Sequence, residues 1–559
     1  MRLLPLPLFG GRWSGQSYYN YSKLNRQRMF QTFRIRRWGV FCVLPLWGAA
    51  VAAHVPDSTL FLVRHAEVNR LYNVQAGSLN PVRLTRNTVY DAGEAVLDYQ
   101  WQKGRFHAID ASPHQDAFRV MISGLRRLGR FDLEGHIRYR NMVQRERSWN
   151  STLYLSSGNP FILGDSIASD VSLEEFDLGA SAAYRVNSRW VAGLGLNLLT
   201  GSSADQTDPR PKTDATRIRI TPGAEYRLSP GVALGAAVNV ELYSASTSHA
   251  IINTQQNHKY FLMKGLGDYM RQSSSDVGSY PREYKGETYA GALQLTLTPE
   301  GRSWQNFLEL QATTGREDAT DGGSYFTFKG GDYDFSGFSL VNRWLLQRPG
   351  IHHRVTVRAG YTSGEGTWYD QKKMTDTEHG NLSYYVVLGQ SRVYETKRWN
   401  VQGEYGAALM RGGLPHLELK AGVVLNHTAD SHFDAGTQEQ SYTLATLYAE
   451  AVKFFTLKKW QLSACLGGAY VTPLGDKTFA SASEDLTAAY VAPAFEYASA
   501  GYAAVRARVE ALVPLPAKRI GLRLFGQTDC RFYADDPTVS DCLDGKSQTT
   551  VHAGVALTF

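Results

Sequence analysis

The chain has 559 residues, of which 43% are hydrophobic and 20% charged, with 52 Gly, 31 Tyr, 24 Phe and 11 Trp. That load of strand, turn and interface residues excludes collagen, coiled coil and wholesale disorder, and no apolar run of 18 or more occurs beyond residue 53, which excludes a helical membrane protein. The net charge of +7 is carried by the head: residues 1–53 hold Arg2, Arg12, Lys23, Arg26, Arg28, Arg34, Arg36 and Arg37 and no acid, leaving −1 for the remainder and no nucleic-acid footprint.

The head reads as a secretory signal: Arg34-Ile35-Arg36-Arg37, an apolar run from Trp38 to Val51, and small residues Ala49, Ala50, Ala52 and Ala53. Met29 is the expected start and cleavage is expected after Ala52 or Ala53. Cys42 lies inside the apolar run, without the small residues that a lipoprotein signal places before its cysteine. Residues 54–88 are expected to be a periplasmic or plug-like lead-in to a barrel over residues 89–559.

Leu62-Val63-Arg64-His65-Ala66-Glu67 is similar to the phosphohistidine signature of histidine phosphatases, in which an Arg and His pair supplies phosphate clamp and nucleophile. That fold needs a long run of alternating helix and parallel strand, whereas strands of another kind begin near Val89, and no second catalytic His is recognisable. The motif is therefore expected to be structural.

From there the chain alternates with period two, which sends successive side chains of a strand to opposite faces. In Val232 to Tyr243, Val232, Leu234, Ala236, Val238, Val240 and Leu242 form an apolar face, against Ala233, Gly235, Ala237, Asn239, Glu241 and Tyr243. The same signature recurs at 131–140, 176–186, 217–228, 289–297, 354–361, 505–513 and 551–559. Short turns occur at Gly129, Asn187-Ser188, Ser229-Pro230-Gly231, Pro299-Glu300-Gly301, Arg348-Pro349-Gly350, Gly412-Gly413, Leu457-Lys458-Lys459 and Pro514-Leu515-Pro516. Long polar loops are expected at 150–174, 201–214, 244–282, 363–381 and 427–439. Short turns at one end and long loops at the other predict an all-β fold, a transmembrane antiparallel β-barrel of about 18 strands within a range of 14–18, with short periplasmic turns and long extracellular loops. Trp190, Trp304, Trp344 and Trp460 hug short turns, as membrane-interface aromatics do.

The alternation, the signal and the C-terminal Phe559, preceded by apolar residues at every second position, resemble Gram-negative outer-membrane barrels; the resemblance implies that the last strand is read by the barrel-insertion machinery. The stretch from Lys259 to Tyr269, followed by Ser279-Tyr280-Pro281-Arg282-Glu283-Tyr284, resembles an uncharacterised Bacteroidota outer-membrane barrel family, which brings no site residues with it.

Candidate site residues come from the polar phase of the strands: Arg217, Arg219, Arg227, Arg354, Arg358, Arg506, Arg508 and Arg523, with Glu225, Glu241 and Glu510 among them. Facing a lumen, they would either select solutes electrostatically or pair with one another and brace the interior. Cys530 and Cys542 flank a polar loop and are a candidate disulfide, while Cys465 reads as a buried or lipid-facing inert thiol. In the loop 244–282, Tyr260-Phe261-Leu262-Met263 is expected to fold over the mouth or touch a partner. The 14 histidines have no metal-ligand spacing, and no nucleophile elbow or Gly-rich phosphate loop occurs, so no catalytic residues, metal or cofactor are expected. The leading expectation is a channel or transport component for a small solute, or an accessory of an uptake system, with outer-membrane lipid around it and a TonB-dependent uptake system or surface lipoprotein as partner. The alternatives are a plugged structural or partner-binding barrel and an outer-membrane hydrolase.

Overall fold

The computed structural model describes residues 64–559, except 254, 274–279, 302, 323–326, 378–381, 434–437, 458–459, 482–485 and 516–519. The signal reading, Met29, Cys42, Leu62 and Val63 lie outside the described residues, as do parts of the turns at 457–459 and 514–516.

Eighteen strands form the wall: β1 (Ala92–Gly104), β2 (His114–Leu128), β3 (Phe131–Arg147), β4 (Ser169–Arg185), β5 (Trp190–Asp205), β6 (Lys212–Ser229), β7 (Val232–Ser248), β8 (Arg282–Leu297), β9 (Trp304–Gly322), β10 (Thr327–Arg348), β11 (Ile351–Asp376), β12 (Leu382–Arg411), β13 (Leu414–His432), β14 (Gln438–Leu457), β15 (Trp460–Pro473), β16 (Tyr502–Pro514), β17 (Gly521–Tyr533) and β18 (Ser547–Thr558). Each is antiparallel to its chain neighbours, and β1 pairs with β18 in the register Leu97↔Val555, so the sheet closes without a free edge. The seam ends on Phe559, whose backbone N–H donates to Gly93 O at 2.9 Å while its carbonyl accepts from Gly93 N at 2.6 Å. Closure satisfies backbone groups that hydrocarbon could not.

Period two sets the faces. Along β7, Leu234, Val238 and Leu242 lie on the outer face, each about half exposed, while Ala233, Ala237, Asn239, Glu241 and Tyr243 turn inward and are buried. At the turn end the connections are tight. Gly412 and Gly413 both hold positive φ, +58° and +76°, which L side chains rarely adopt, and this lets β12 reverse into β13 within two residues.

The loop end differs from the expectation. Residues 202–204 pair with 212–214, 363–376 is strand facing 382–397, and 427–432 pairs with 438–443. The polar stretches hide strand because beyond the apolar band neither face meets hydrocarbon; alternation then fades although the hydrogen-bond ladder continues. Among the described residues, the longer departures from the wall fall within 148–168, 249–281, 474–501 and 534–546, with a shorter one at 105–113; within the third, Thr478–Ala480 returns to pair with β14. Lys259–Gly265 and Asp268–Ser273 form a hairpin that Leu163–Gly164 joins, making a small second sheet.

Candidate functional site

Two segments enter the barrel. At the turn end, residues 64–91 run along the inner wall before joining β1. Helix α1 (His65–Tyr72) lies against β13: Tyr72 Oη donates to Gly413 O at 3.0 Å, and Arg70 pairs with Glu418 at 2.6 Å. Arg343 then donates to Val74 O at 2.5 Å, and Gln75 Nε2 donates to Glu225 and Thr296, both at 2.8 Å. Ser78 donates to Glu309 at 2.5 Å, and Asn80 Nδ2 reaches Gln294 at 3.0 Å while its Oδ1 caps a 3₁₀ turn, Pro81–Arg86, by accepting from Val82 N. Arg86 closes the path on Glu225 at 2.7 Å and Arg83 on Glu134 at 2.6 Å. The chain thus crosses from β13 back to β3, held mainly by side chains from the inward phase.

At the loop end, residues 148–168 fold inward. Tyr243 Oη donates to Leu153 O at 2.6 Å, Thr213 Oγ1 to Ser151 O at 2.5 Å, and Arg217 donates to Tyr154 O. Glu317 accepts from Ser156 N and Oγ and from Asn159 Nδ2 at 2.8 Å, and Tyr284 Oη donates to Phe161 O at 2.9 Å. Leu153 and Phe161 are buried in a core with Leu173, Tyr284, Tyr333, Trp368 and Tyr394. Above it, Tyr260, Phe261, Leu262 and Met263 are buried, with Trp149, Leu486 and Val491 packed around Phe261 and Met263. The apolar stretch therefore folds over the mouth. Lys264 pairs with Asp268 at 2.7 Å, and Asp268 with His432 at 3.1 Å. Burial pushes the Asp165 carboxyl up to about 6, with Asp205 nearby adding to the shift against an opposing hydrogen bond from Ile167 N. Burial pushes His249 down to about 4.

A chamber of about 760 Å³ opens along the inner wall of β10 to β17. Its lining carries eight cations (Arg70, Arg343, Arg354, Arg358, Lys420, Arg506, Arg508, Arg523) and five carboxylates (Glu67, Glu404, Glu418, Glu450, Glu510). Of the residues singled out from sequence, Arg354, Arg358, Arg506, Arg508, Glu510 and Arg523 meet here. Arg508 pairs with Glu510, Arg523 with Glu94 at 2.8 Å, and Arg506 with Asp529 at 2.5 Å. The others do not join them. Arg217 and Arg219 share Glu241, the first at 3.3 Å, on the β6–β7 wall under the inward loop. Glu225 serves Gln75 and Arg86 rather than a strand arginine, which corrects its expected place in a strand-to-strand network. Arg227 is exposed at the turn end. Sequence reading missed Arg343, Glu404, Glu418 and Glu450; Arg343 was detectable because it takes the phase opposite its neighbour Trp344.

Trp190, Trp344 and Trp460 are exposed on the outer face near the turns, and Trp304 packs against Trp344 with ring centroids 5.6 Å apart. The candidate disulfide is not formed: Cys530 and Cys542 are free. Cys530 shares the outward phase of Leu524 and Phe532, whereas Cys542 lies exposed in the loop beyond β17, so the two thiols belong to different surfaces. Cys465 lines the chamber instead of facing lipid. Arg64 of the phosphatase-like motif pairs with Glu67 at 2.5 Å and lies 3.8 Å over the Phe454 ring, a packing role. Among the described residues no cluster of His, Cys, Asp and Glu could hold a metal ion.

The chain belongs to a family of unknown function (DUF6850), whose model matches residues 81–559. No curated protein matches the sequence. Solved structures similar to this chain include the RagAB peptide transporter, at 6% identity and TM-score 0.41, covering 84% of this chain and 86% of that one. The outer-membrane transporter YddB from Escherichia coli is similar at 8% identity and TM-score 0.38, covering 84% and 81%, and a Pseudomonas aeruginosa FadL homologue at 12% and 0.33, covering 91% and 99%. Likeness at this level bears on neither substrate nor partner.

Proposed function

We propose that this member of the family is an outer-membrane barrel that moves a small polar solute through its lumen, as a channel or as one component of an uptake system. The observation that carries the reading is the chamber: a closed barrel that merely braced itself would fill its interior, yet about 760 Å³ lies open beside eight cations and five carboxylates. The outer face supports placement in a bilayer, since Leu234, Val238, Leu293, Phe338, Leu447 and Leu466 are all about half exposed or more, and Trp190, Trp344 and Trp460 sit where headgroups would lie. In that orientation the turn end faces the periplasm, Phe559 offers the closing strand to the insertion machinery, and a Gram-negative source, a Bacteroidota one by the resemblance of 259–284, follows. A TonB-dependent system or a surface lipoprotein is the partner class this reading implies.

The segments at 64–91 and 148–168 favour a second reading, a plugged barrel. One experiment separates the two. In proteoliposome swelling and planar-bilayer conductance, the transport reading expects solute entry from the wild type, or from a variant in which residues 64–91 are loosened from the wall. A barrel silent in both states transfers the assignment to a plugged, partner-binding one.

A further inference from the structure

Most of the chamber's cations are matched. Arg70, Lys420, Arg506, Arg508 and Arg523 each have a carboxylate within ion-pair distance. Three are not. Arg343 donates to the carbonyl of Val74, Arg354 to the carbonyl of Arg70, and Arg358 to the amide oxygen of Gln402 at 2.8 Å; among the described residues none of the three has an ion pair with a carboxylate.

They are also neighbours by construction. Arg343 on β10 stands opposite Thr356 on β11, so Arg354 and Arg358, two residues to either side of Thr356, flank it diagonally on the inward face. Arg343 is 5% exposed, and Arg354 Nε is buried with no acceptor. Glu404 and Glu418 share the lining and attract Arg354 from a distance, but Glu404 accepts from Tyr448 Oη at 2.7 Å, Glu418 holds Arg70, and neither closes an ion pair with the three. Three guanidiniums with planar donor forks, poorly screened by a low-dielectric wall, make a receptor for a two-oxygen anion.

We propose that Arg343, Arg354 and Arg358 form an anion subsite, and that the solute taken into the chamber carries a carboxylate or phosphate group. The proposal rests on reading the lumen as a solute pathway and names the chemistry of that solute. Two of the three forks are presently occupied by main-chain carbonyls of residues 70 and 74, weaker acceptors than an anionic oxygen. A bound anion would therefore compete with the turn-end segment for Arg343 and Arg354, whereas Arg358, among the described residues, donates to Gln402 on the wall and not to that segment.

The test is calorimetric titration of the full detergent-purified barrel with inorganic phosphate and with succinate, which tells phosphate from carboxylate. The wild type is expected to bind at least one. Arg358→Gln, which leaves the segment's anchors in place, should weaken that binding about tenfold or more, as loss of a charged fork predicts. Arg126→Gln, on the exposed turn end, should leave it unchanged. Absence of binding to both probes, or equal binding by wild type and Arg358→Gln, overturns the subsite. Swelling assays with a neutral sugar keep the two readings apart: sugar entry without anion binding sinks the subsite and leaves the pathway, while anion binding without entry of any solute supports the subsite and sinks the pathway.

Discussion

Residues 64–91 at the turn end and residues 148–168 at the loop end both lie against the inner wall, yet hydrogen bonds and apolar packing share the work differently in the two. The first joins polar contacts of Gln75, Ser78, Asn80, Arg83 and Arg86 to small apolar ones, Val68 with Leu414, Val74 with Phe307 and Leu345, and Val82 and Leu84 with Ala183 and Val191. The second contributes Leu153 and Phe161 to an apolar core and is covered by the hairpin bearing Tyr260 to Met263. Water can replace the polar contacts of the first at a net cost of about 1 kcal/mol per hydrogen bond. Lifting the second exposes apolar surface at roughly 25 cal/mol per Å², with no replacement available. With three small apolar clusters against one larger core, the turn-end segment is the more easily loosened of the two.

The sharpest way to break that contrast is at the cap's one fully buried ion pair among the described residues, Arg282 with Asp321, at 2.5 Å and with neither side chain exposed. Arg282 also donates to Phe161 O at 3.3 Å, so it ties the inward loop to the wall. Arg282→Ala should cost about 3–5 kcal/mol by stranding a buried carboxylate. The pair Arg282→Met with Asp321→Leu should recover most of the loss in heat-modifiability or urea unfolding. A loss under about 1 kcal/mol for the single change would mean the cap does not depend on this anchor.

A smaller, local effect is expected at the turn end. Glu225→Ala removes the acceptor of both Gln75 and Arg86, about 2 kcal/mol. It should speed maleimide labelling of an Ala76→Cys reporter while the barrel's melting changes little; global unfolding instead would show that the segment is integral to the wall. Tyr243→Phe deletes one hydrogen bond, to Leu153 O, and leaves the apolar packing in place. Its expected cost is about 1 kcal/mol, read in hydrogen exchange of the 148–168 amides. A much larger loss would make the cap polar in origin and erase the distinction.

The wall was legible because a closed barrel writes its register into every second residue: β7 places Asn239 and Glu241 inward and Val238 outward, as the alternation requires. All eight short turns separate consecutive strands, and their number gives the 18 strands. Half of the candidate site was legible for the same reason. Phase alone puts Arg354, Arg358, Arg506, Arg508 and Arg523 in the lumen, but phase carries no information about position around the ring or about depth. Arg217 and Arg219 share that phase and yet lie beneath the inward loop. The partners of Glu225 could not be read at all, because Gln75 and Arg86 belong to a segment without periodicity whose course is set by tertiary hydrogen bonds.

The smallest expected effect uses protons. In the cap, burial raises Asp165 from 3.8 to about 6 and lowers His249 from 6.5 to about 4. Asp165 favours the neutral form when folded, so its contribution is full below about 4 and is lost as pH rises through 6; His249 also favours its neutral form, so its contribution is full above 6.5 and is lost as pH falls toward 4. Across that window the two slopes oppose, and the wild-type cap should change little. Asp165→Asn removes one side, and acidification from pH 6.5 to 4 should then loosen the cap. His249→Gln removes the other, and the same acidification should tighten it. Exchange of the 259–265 amides, corrected for intrinsic rates, reads both. The shifted groups of residues 64–91 are Arg70, Tyr72 and Tyr90, all of which titrate far above the window, so labelling at Ala76→Cys, corrected for thiolate ionisation, should stay flat in every variant. Parallel exchange profiles in the three proteins would remove the buried pair from the cap's energetics. A pH-dependent Ala76→Cys signal would instead couple the two ends of the lumen.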